Sequence, residues 1–151
     1  MISEKIVRAL KDVDVNFFAT LPCEKARPLN NLISANFRHI ALTREEEGVG
    51  ICAGAYLAGA KPAMLVQSSG IGNMINALCS LTKTYELPLL IFVSWRGVYR
   101  EEIPAQVPLG QRLQKILAAI DIDYRIIETP KDVRVVSEVA AEVYAGNRVH
   151  A

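Results

Sequence analysis

The chain has 151 residues, enough for one domain over 1–151 that buries its own core, and no repeat, linker or low-complexity stretch divides it. Its 17 basic and 16 acidic residues are scattered and sum to a formal charge of +1, so there is no electrostatic footprint for nucleic acid. Hydrophobic residues reach 51% with a mean hydropathy of +0.21, yet no apolar run is long enough for a membrane span and Met1-Ile2-Ser3-Glu4-Lys5 does not lead into a signal peptide; a cytoplasmic chain that covers part of its surface by self-association is expected.

Ser3 can cap a first helix whose Ile6, Leu10 and Val13 recur at helical spacing. Val15 to Ala19 read as a strand, Thr20 to Glu24 as a loop, and Pro28 opens a second helix that turns Leu29, Leu32 and Ile33 inward. His39 to Thr43 form the next strand, followed by a helix of small residues beginning near Glu47. Ala63 to Val66 lack polar alternation, the pattern of a parallel strand covered on both faces. Asn73 to Thr84 predict a helix through Ile75, Leu78 and Leu81, and Leu87 to Val93 a buried strand. Ser94 to Pro108 is then a long irregular connection, of a length that is usually functional or mobile. Leu109 to Ala119 give a helix facing inward through Leu113, Ile116 and Leu117, Tyr124 to Ile127 a last strand, and Thr129-Pro130-Lys131-Asp132 the start of a final helix.

Strict alternation of strands and helices with right-handed crossovers predicts an α/β fold, a three-layer, doubly wound and mainly parallel sheet. Ligands in such folds bind beyond the carboxyl ends of the strands. Leu21 to Glu24, Arg44 to Gly48, Gln67 to Asn73 and Ser94 to Gly97 each follow a different strand, so they should converge on one edge. Cys23, Cys52 and Cys79 lack the paired spacing of a zinc site or disulfide framework; Cys52 and Cys79 fall in apolar helical patterns and read as buried small hydrophobes, Cys23 as a loop residue.

Charge is concentrated at one place. Glu45, Glu46 and Glu47 stand between the apolar Ile40-Ala41-Leu42 and a helix carrying Gly48, Gly50, Gly54 and Gly59. The plain reading is capping, since acids in a first turn are favoured by the helix dipole. The glycines ask for more, because each interior glycine costs about 1 kcal/mol against alanine and so needs a closely packed neighbour. Gln67 to Asn73 reads as a flexible loop whose backbone N–H groups can approach a ligand, without the full spacing of a nucleotide loop.

At these residues the chain resembles the pyrimidine-binding domain of thiamine diphosphate-dependent 2-oxo acid decarboxylases. The family has an activating glutamate at a strand end and, nine residues on, a glycine in a helix rich in Ala and Gly; Glu45 with Gly54 has that spacing. Glu45 is preferred as nearest the strand, with Glu46 and Glu47 as alternative registers. The likeness also takes in the Leu-Pro turn at residue 22, Gln67 to Asn73 and Ser94-Trp95-Arg96-Gly97. It is greatest to the branch acting on sulfopyruvate, then to the phosphonopyruvate branch.

The resemblance implies a flavodoxin-like sheet that binds thiamine diphosphate with Glu45 at the pyrimidine, and Ser69, Gly70 and Asn73 beside the reactive carbon. Pro22 and Cys23 would lie on the substrate side, although phosphonopyruvate relatives tend to have Pro-Asp-Ser there. Arg96 suits an oxyanion through its guanidinium fork. Against this stand surface salt bridges of Arg96 or Arg100 with Glu101 and Glu102. Neither His39 nor His150 reads as catalytic. The Gly-Asp-Gly motif that holds Mg2+ and the diphosphate is absent from these residues, so the chain is expected to have no metal site and to need a beta subunit that supplies it. The implied reaction turns 3-sulfopyruvate into sulfoacetaldehyde and carbon dioxide, a step of coenzyme M biosynthesis in methanogens. Another 2-oxo acid, or a non-catalytic module of the same fold, is the alternative.

Overall fold

A computed structural model describes all residues from Met1 to Ala151. Five parallel strands form one sheet in the order β2-β1-β3-β4-β5: β1 Phe17–Thr20, β2 Arg38–Ala41, β3 Pro62–Gln67, β4 Leu89–Ser94 and β5 Val149–His150. The helices are α1 Ile2–Asp12, α2 Arg27–Asn36, α3 Glu45–Leu57, α4 Ser68–Ala77, α5 Val107–Gly110, α6 Leu113–Ala119 and α7 Arg134–Gly146. This is the flavodoxin-like order, with its switch point between β1 and β3, where the chain reverses direction across the sheet.

Side chains of alternate strand residues go to opposite faces and build two cores. Ala19, Met64 and Ile91 meet Val49 of α3 and Leu117 of α6; Phe18, Leu65 and Leu90 meet Leu10 of α1, Ile33 of α2 and Val139 of α7. The three-layer arrangement is thus the expected one. β1 is buried along its whole length, whereas β2, at the sheet's edge, is mostly exposed. No helix is long and apolar enough to cross a membrane.

Several elements depart from the sequence expectation. Tyr124 to Ile127 is not a strand of the ladder: Asp123 makes a single bridge to His150, and the strand beside β4 is Val149–His150. A run rich in β-branched and aromatic residues says that a segment can be extended, but pairing depends on a partner far along the chain. The Thr129 region does not cap α7. Asp132 Oδ2 instead accepts the N–H groups of Glu128 and Thr129 and the Thr129 hydroxyl, closing a turn ahead of the helix.

α4 begins at Ser68 rather than Asn73 and, after Ala77, widens into a π-helical stretch, Leu78–Lys83. Its buried line is Ile71, Met74, Leu78 and Thr82, with Ile75 only half-buried. The helix expected from Leu109 to Ala119 is broken into α5 and α6, and Gly110 lies so near the Arg96 carbonyl that no Cβ would fit. Cys52 is fully buried and burial pushes its thiol up to about 12, while Cys79 is half-buried. Of the glycines on α3, Gly48 has the close neighbours that were expected, but Gly50 and Gly54 have nothing within 4 Å of a built Cβ.

Candidate active site

The four segments singled out from the sequence do meet at the carboxyl edge of the sheet. Cys23, three residues beyond β1, is buried and its thiol donates to Ser94 Oγ at the end of β4 (3.6 Å). Arg96 NH1 lies 3.9 Å from the same sulfur. Ser68, the first residue of α4, accepts the Arg96 N–H (3.1 Å) and donates to the Arg96 carbonyl (3.3 Å). Asn73 on the next turn of α4 donates from Nδ2 to Glu45 Oε2 (2.9 Å) at the start of α3. A continuous set of contacts therefore runs from the β1 loop across β4 and β3 to the glutamate following β2.

The three glutamates differ sharply in environment. Glu46 is exposed and paired with Arg44 (3.5 Å). Glu47 accepts the Thr43 hydroxyl (3.0 Å) and the Thr43 N–H (3.3 Å), which hold its carboxyl below the usual range. It is the capping residue of the trio. Glu45 is 3% exposed, and its Oε1 makes no hydrogen bond. Gly70 closes the pocket against it: a Cβ there would lie 2.6 Å from Glu45 Oε1. Beneath them Gly48 lets Leu42 and Met64 pack tightly against the first turn of α3, each 2.5 Å from where a Cβ would stand. A carboxylate is thus held in an apolar wall by one amide, with one oxygen in reserve.

Arg96 is spoken for on one side. Its Nε and NH2 donate to the two oxygens of Glu101, both at 2.6 Å, in a pair whose side chains are 8% and 4% exposed. Glu101 also accepts the N–H groups of Gly97 and Ile103, both at 3.1 Å, and these contacts, led by Arg96, draw its carboxyl down to about 2. The salt bridge weighed from the sequence is present, but it is internal, with Arg96 rather than Arg100 as its cation. NH1 remains directed at Cys23. Burial pushes the Cys23 thiol up, and the contacts from Ser94, the Ala26 N–H and Arg96 outweigh it, leaving the group below its ordinary value.

Pro22 is exposed, and Ser69 is half-buried in the first turn of α4. Sequence reasoning gave no role to Ser68 or to Trp95, whose Nε1 donates to the Gly110 carbonyl (2.8 Å), and placed Glu101 only as a surface partner of a cation. Only the proximity of opposite charges at 96 and 101 hinted at one of them. His39 Nε2 and Thr20 Oγ1 are 2.7 Å apart, and burial lowers the histidine's pKa.

The donor set fits one end of an aminopyrimidine. A carboxyl oxygen without a protein partner can share a proton with a ring nitrogen, and at position 70 only glycine leaves that oxygen unobstructed by a side chain. No group of three or more His, Cys, Asp or Glu stands together to hold a metal ion.

Residues 1–121 match the family described as thiamine pyrophosphate enzyme, N-terminal TPP binding domain. The chain is 50% identical to a sulfopyruvate decarboxylase of Methanosarcina acetivorans over 97% of its own length and 38% of that protein's. It is 42% identical to a sulfopyruvate decarboxylase subunit alpha of Methanococcus maripaludis, over 93% of this chain and 86% of that one. A phosphonopyruvate decarboxylase of Streptomyces viridochromogenes is 30% identical over 84% of this chain and 33% of its own. The chain thus spans most of the alpha subunit and well under half of the two longer proteins.

Proposed function

The chain belongs to the thiamine pyrophosphate enzyme N-terminal binding-domain family, among the sulfopyruvate decarboxylase alpha subunits, and on that premise we propose that it is the pyrimidine-binding half of an enzyme converting 3-sulfopyruvate to sulfoacetaldehyde and carbon dioxide. The observation that carries this is Glu45, buried at a strand end with Oε1 free of protein partners. Thiamine diphosphate, when bound, supplies the electron sink for the charge left by loss of carbon dioxide. Glu45 Oε1 holds the proton shared with the pyrimidine ring nitrogen, and Asn73 keeps the carboxylate turned towards it. Ser69 and Gly70 line the cofactor side.

On the substrate side the proposal assigns Pro22, Cys23 and Arg96, with NH1 of Arg96 as the donor towards the acid's anionic groups. Glu101 occupies the rest of the guanidinium, so the fork offers one nitrogen rather than two. Mg2+ and the diphosphate are assigned to a beta subunit, a reading supported by the subunit naming of the relatives. The enzyme acts in coenzyme M biosynthesis in the cytoplasm of a methanogen, with this chain as one domain of a hetero-oligomer in which alpha subunits also associate.

The test is carbon dioxide release from 3-sulfopyruvate with thiamine diphosphate and Mg2+, by this chain alone and with the beta subunit. Activity confined to the mixture is expected; turnover by the chain alone would remove the split site. Because phosphonopyruvate decarboxylases are also relatives, the rate on phosphonopyruvate should be run beside it, and a faster rate there would reassign the substrate.

A further inference from the structure

Arg96 is fixed at both ends. Its backbone N–H and carbonyl are both bonded to Ser68 Oγ (3.1 and 3.3 Å), and Gly110 packs behind the carbonyl where no Cβ would fit. Its side chain is clamped by Glu101, which takes Nε and NH2, both at 2.6 Å. NH1 is left over. Its one partner is the Cys23 sulfur at 3.9 Å, and that sulfur also lies 3.6 Å from Ser94 Oγ. A thiol is a weak acceptor. The Arg96 side chain is 8% exposed, so a guanidinium nitrogen withdrawn from water still has a full hydrogen bond to make.

The reaction decides which end of a sulfonated oxo acid suits that nitrogen. Decarboxylation carries negative charge off the carboxylate, so a cation paired with the carboxylate would stabilise the starting acid more than the transition state. The sulfonate keeps its charge throughout. Pairing there holds the acid without raising the barrier.

Charge balance adds a second constraint. Glu101 cancels the charge of Arg96 within the wall, whereas Glu24, Lys25, Arg100 and Glu102 around it are exposed, where water and salt screen them. The wall therefore donates a hydrogen bond while carrying no net charge. A sulfonate has one negative charge, but a phosphonate on the same carbon approaches two at neutral pH. An anion on NH1 is only one guanidinium group away from the Glu101 carboxylate, inside the screening length of about 8 to 10 Å. The second charge meets repulsion with no cation left to offset it.

We propose that Arg96 NH1 binds the sulfonate end of the substrate, and that Glu101, by orienting and neutralising the guanidinium, makes the site prefer a singly charged headgroup to a doubly charged one. The inference rests on the reading of this chain as part of a sulfopyruvate decarboxylase. Glu101 acts through Arg96 and is a positioning residue.

The experiment follows carbon dioxide release from 3-sulfopyruvate by the complex with the beta subunit, with phosphonopyruvate added as competitor at one fixed pH. The wild-type complex should bind the phosphonate acid about tenfold more weakly than the sulfonate acid. Glu101→Gln leaves the guanidinium charge uncancelled and should close or reverse that gap. Glu101→Asp keeps the charge and should keep the gap, with both acids bound more weakly. A gap equal in wild type and Glu101→Gln would overturn the inference and leave the proposed function standing, because a purely structural tie affects both acids alike. Should Glu101→Gln fail to assemble, the wild-type comparison decides, and equal affinity for the two acids overturns the inference. No turnover of 3-sulfopyruvate by the wild-type mixture would remove the proposed function and the inference together.

Discussion

Glu45 and Glu101 are carboxylates at the same edge of the sheet, both removed from water, and they are supplied with hydrogen bonds very unequally. Glu101 receives four N–H groups, from Arg96 Nε and NH2, Gly97 and Ile103, so each of its oxygens is bonded twice. Glu45 receives one, from Asn73, and keeps an oxygen bare in an apolar wall. An acceptor that no protein donor has claimed stays available to whatever reaches it. Glu101 is a tie that folds the connection after β4; Glu45 keeps one oxygen that no protein group claims.

The largest expected effect breaks that contrast at Glu45. Glu45→Gln in the complex with the beta subunit should reduce turnover about 10²- to 10⁴-fold with an unchanged melting curve. Glu46→Gln and Glu47→Gln, which alter an exposed pair and a cap, should keep near-normal turnover; losing activity in either would move the register. Gly70→Ala should be next. Its methyl group would stand 2.6 Å from Glu45 Oε1 and 2.7 Å from Cγ, so the carboxylate must shift. A stability loss of about 1–3 kcal/mol in denaturant unfolding, together with reduced turnover, is expected.

Glu101 sharpens the contrast from the other side. Glu101→Ala should make the 97–106 segment cleave faster in limited proteolysis while α3 stays protected. The wild-type segment should show a pH dependence of definite sign. The folded carboxyl lies at about 2 against an ordinary 4.5, so its contribution is complete above about 4.5 and is lost as the pH falls towards 2. Protection that weakened instead as pH rose would refute the tie. The smallest effect is Gly54→Ala: with nothing within 4 Å, the substitution should stabilise the isolated chain by about 1 kcal/mol, read as a raised unfolding midpoint.

Local signals reached a long way into this molecule. The order of strands and helices as far as β4, the buried run of β3 and the meeting of four loops followed from hydrophobic period and chain punctuation. They failed where the deciding partner is distant. Tyr124 to Ile127 has strand-like residues but joins the sheet only beside the Asp123 bridge to His150, and the two residues of β5 do not announce themselves locally. Gln67 to Asn73 looked like a loop because of its glycines and serines, yet the helix starts at Ser68, tied to the Arg96 backbone. The crowding inferred for the α3 glycines was right at Gly48 and wrong at Gly50 and Gly54, where this chain alone puts no neighbour. The triple glutamate could be located from sequence but not ranked, since burial distinguishes its members and burial depends on Gly70 and Asn73 arriving from another helix.

Ser68 has a consequence for how this edge can deform. One hydroxyl takes the N–H of Arg96 and gives its own hydrogen to the carbonyl of the same residue, so the start of α4 and the exit of β4 are fastened by a single pin. A pin has little slack. Any swing of the strap beyond Arg96 is carried as torque into α4, and one turn further along that helix is the amide that steadies Glu45. Motion of the connection beyond β4 and alignment of the Glu45 carboxylate are therefore geared together by one oxygen atom.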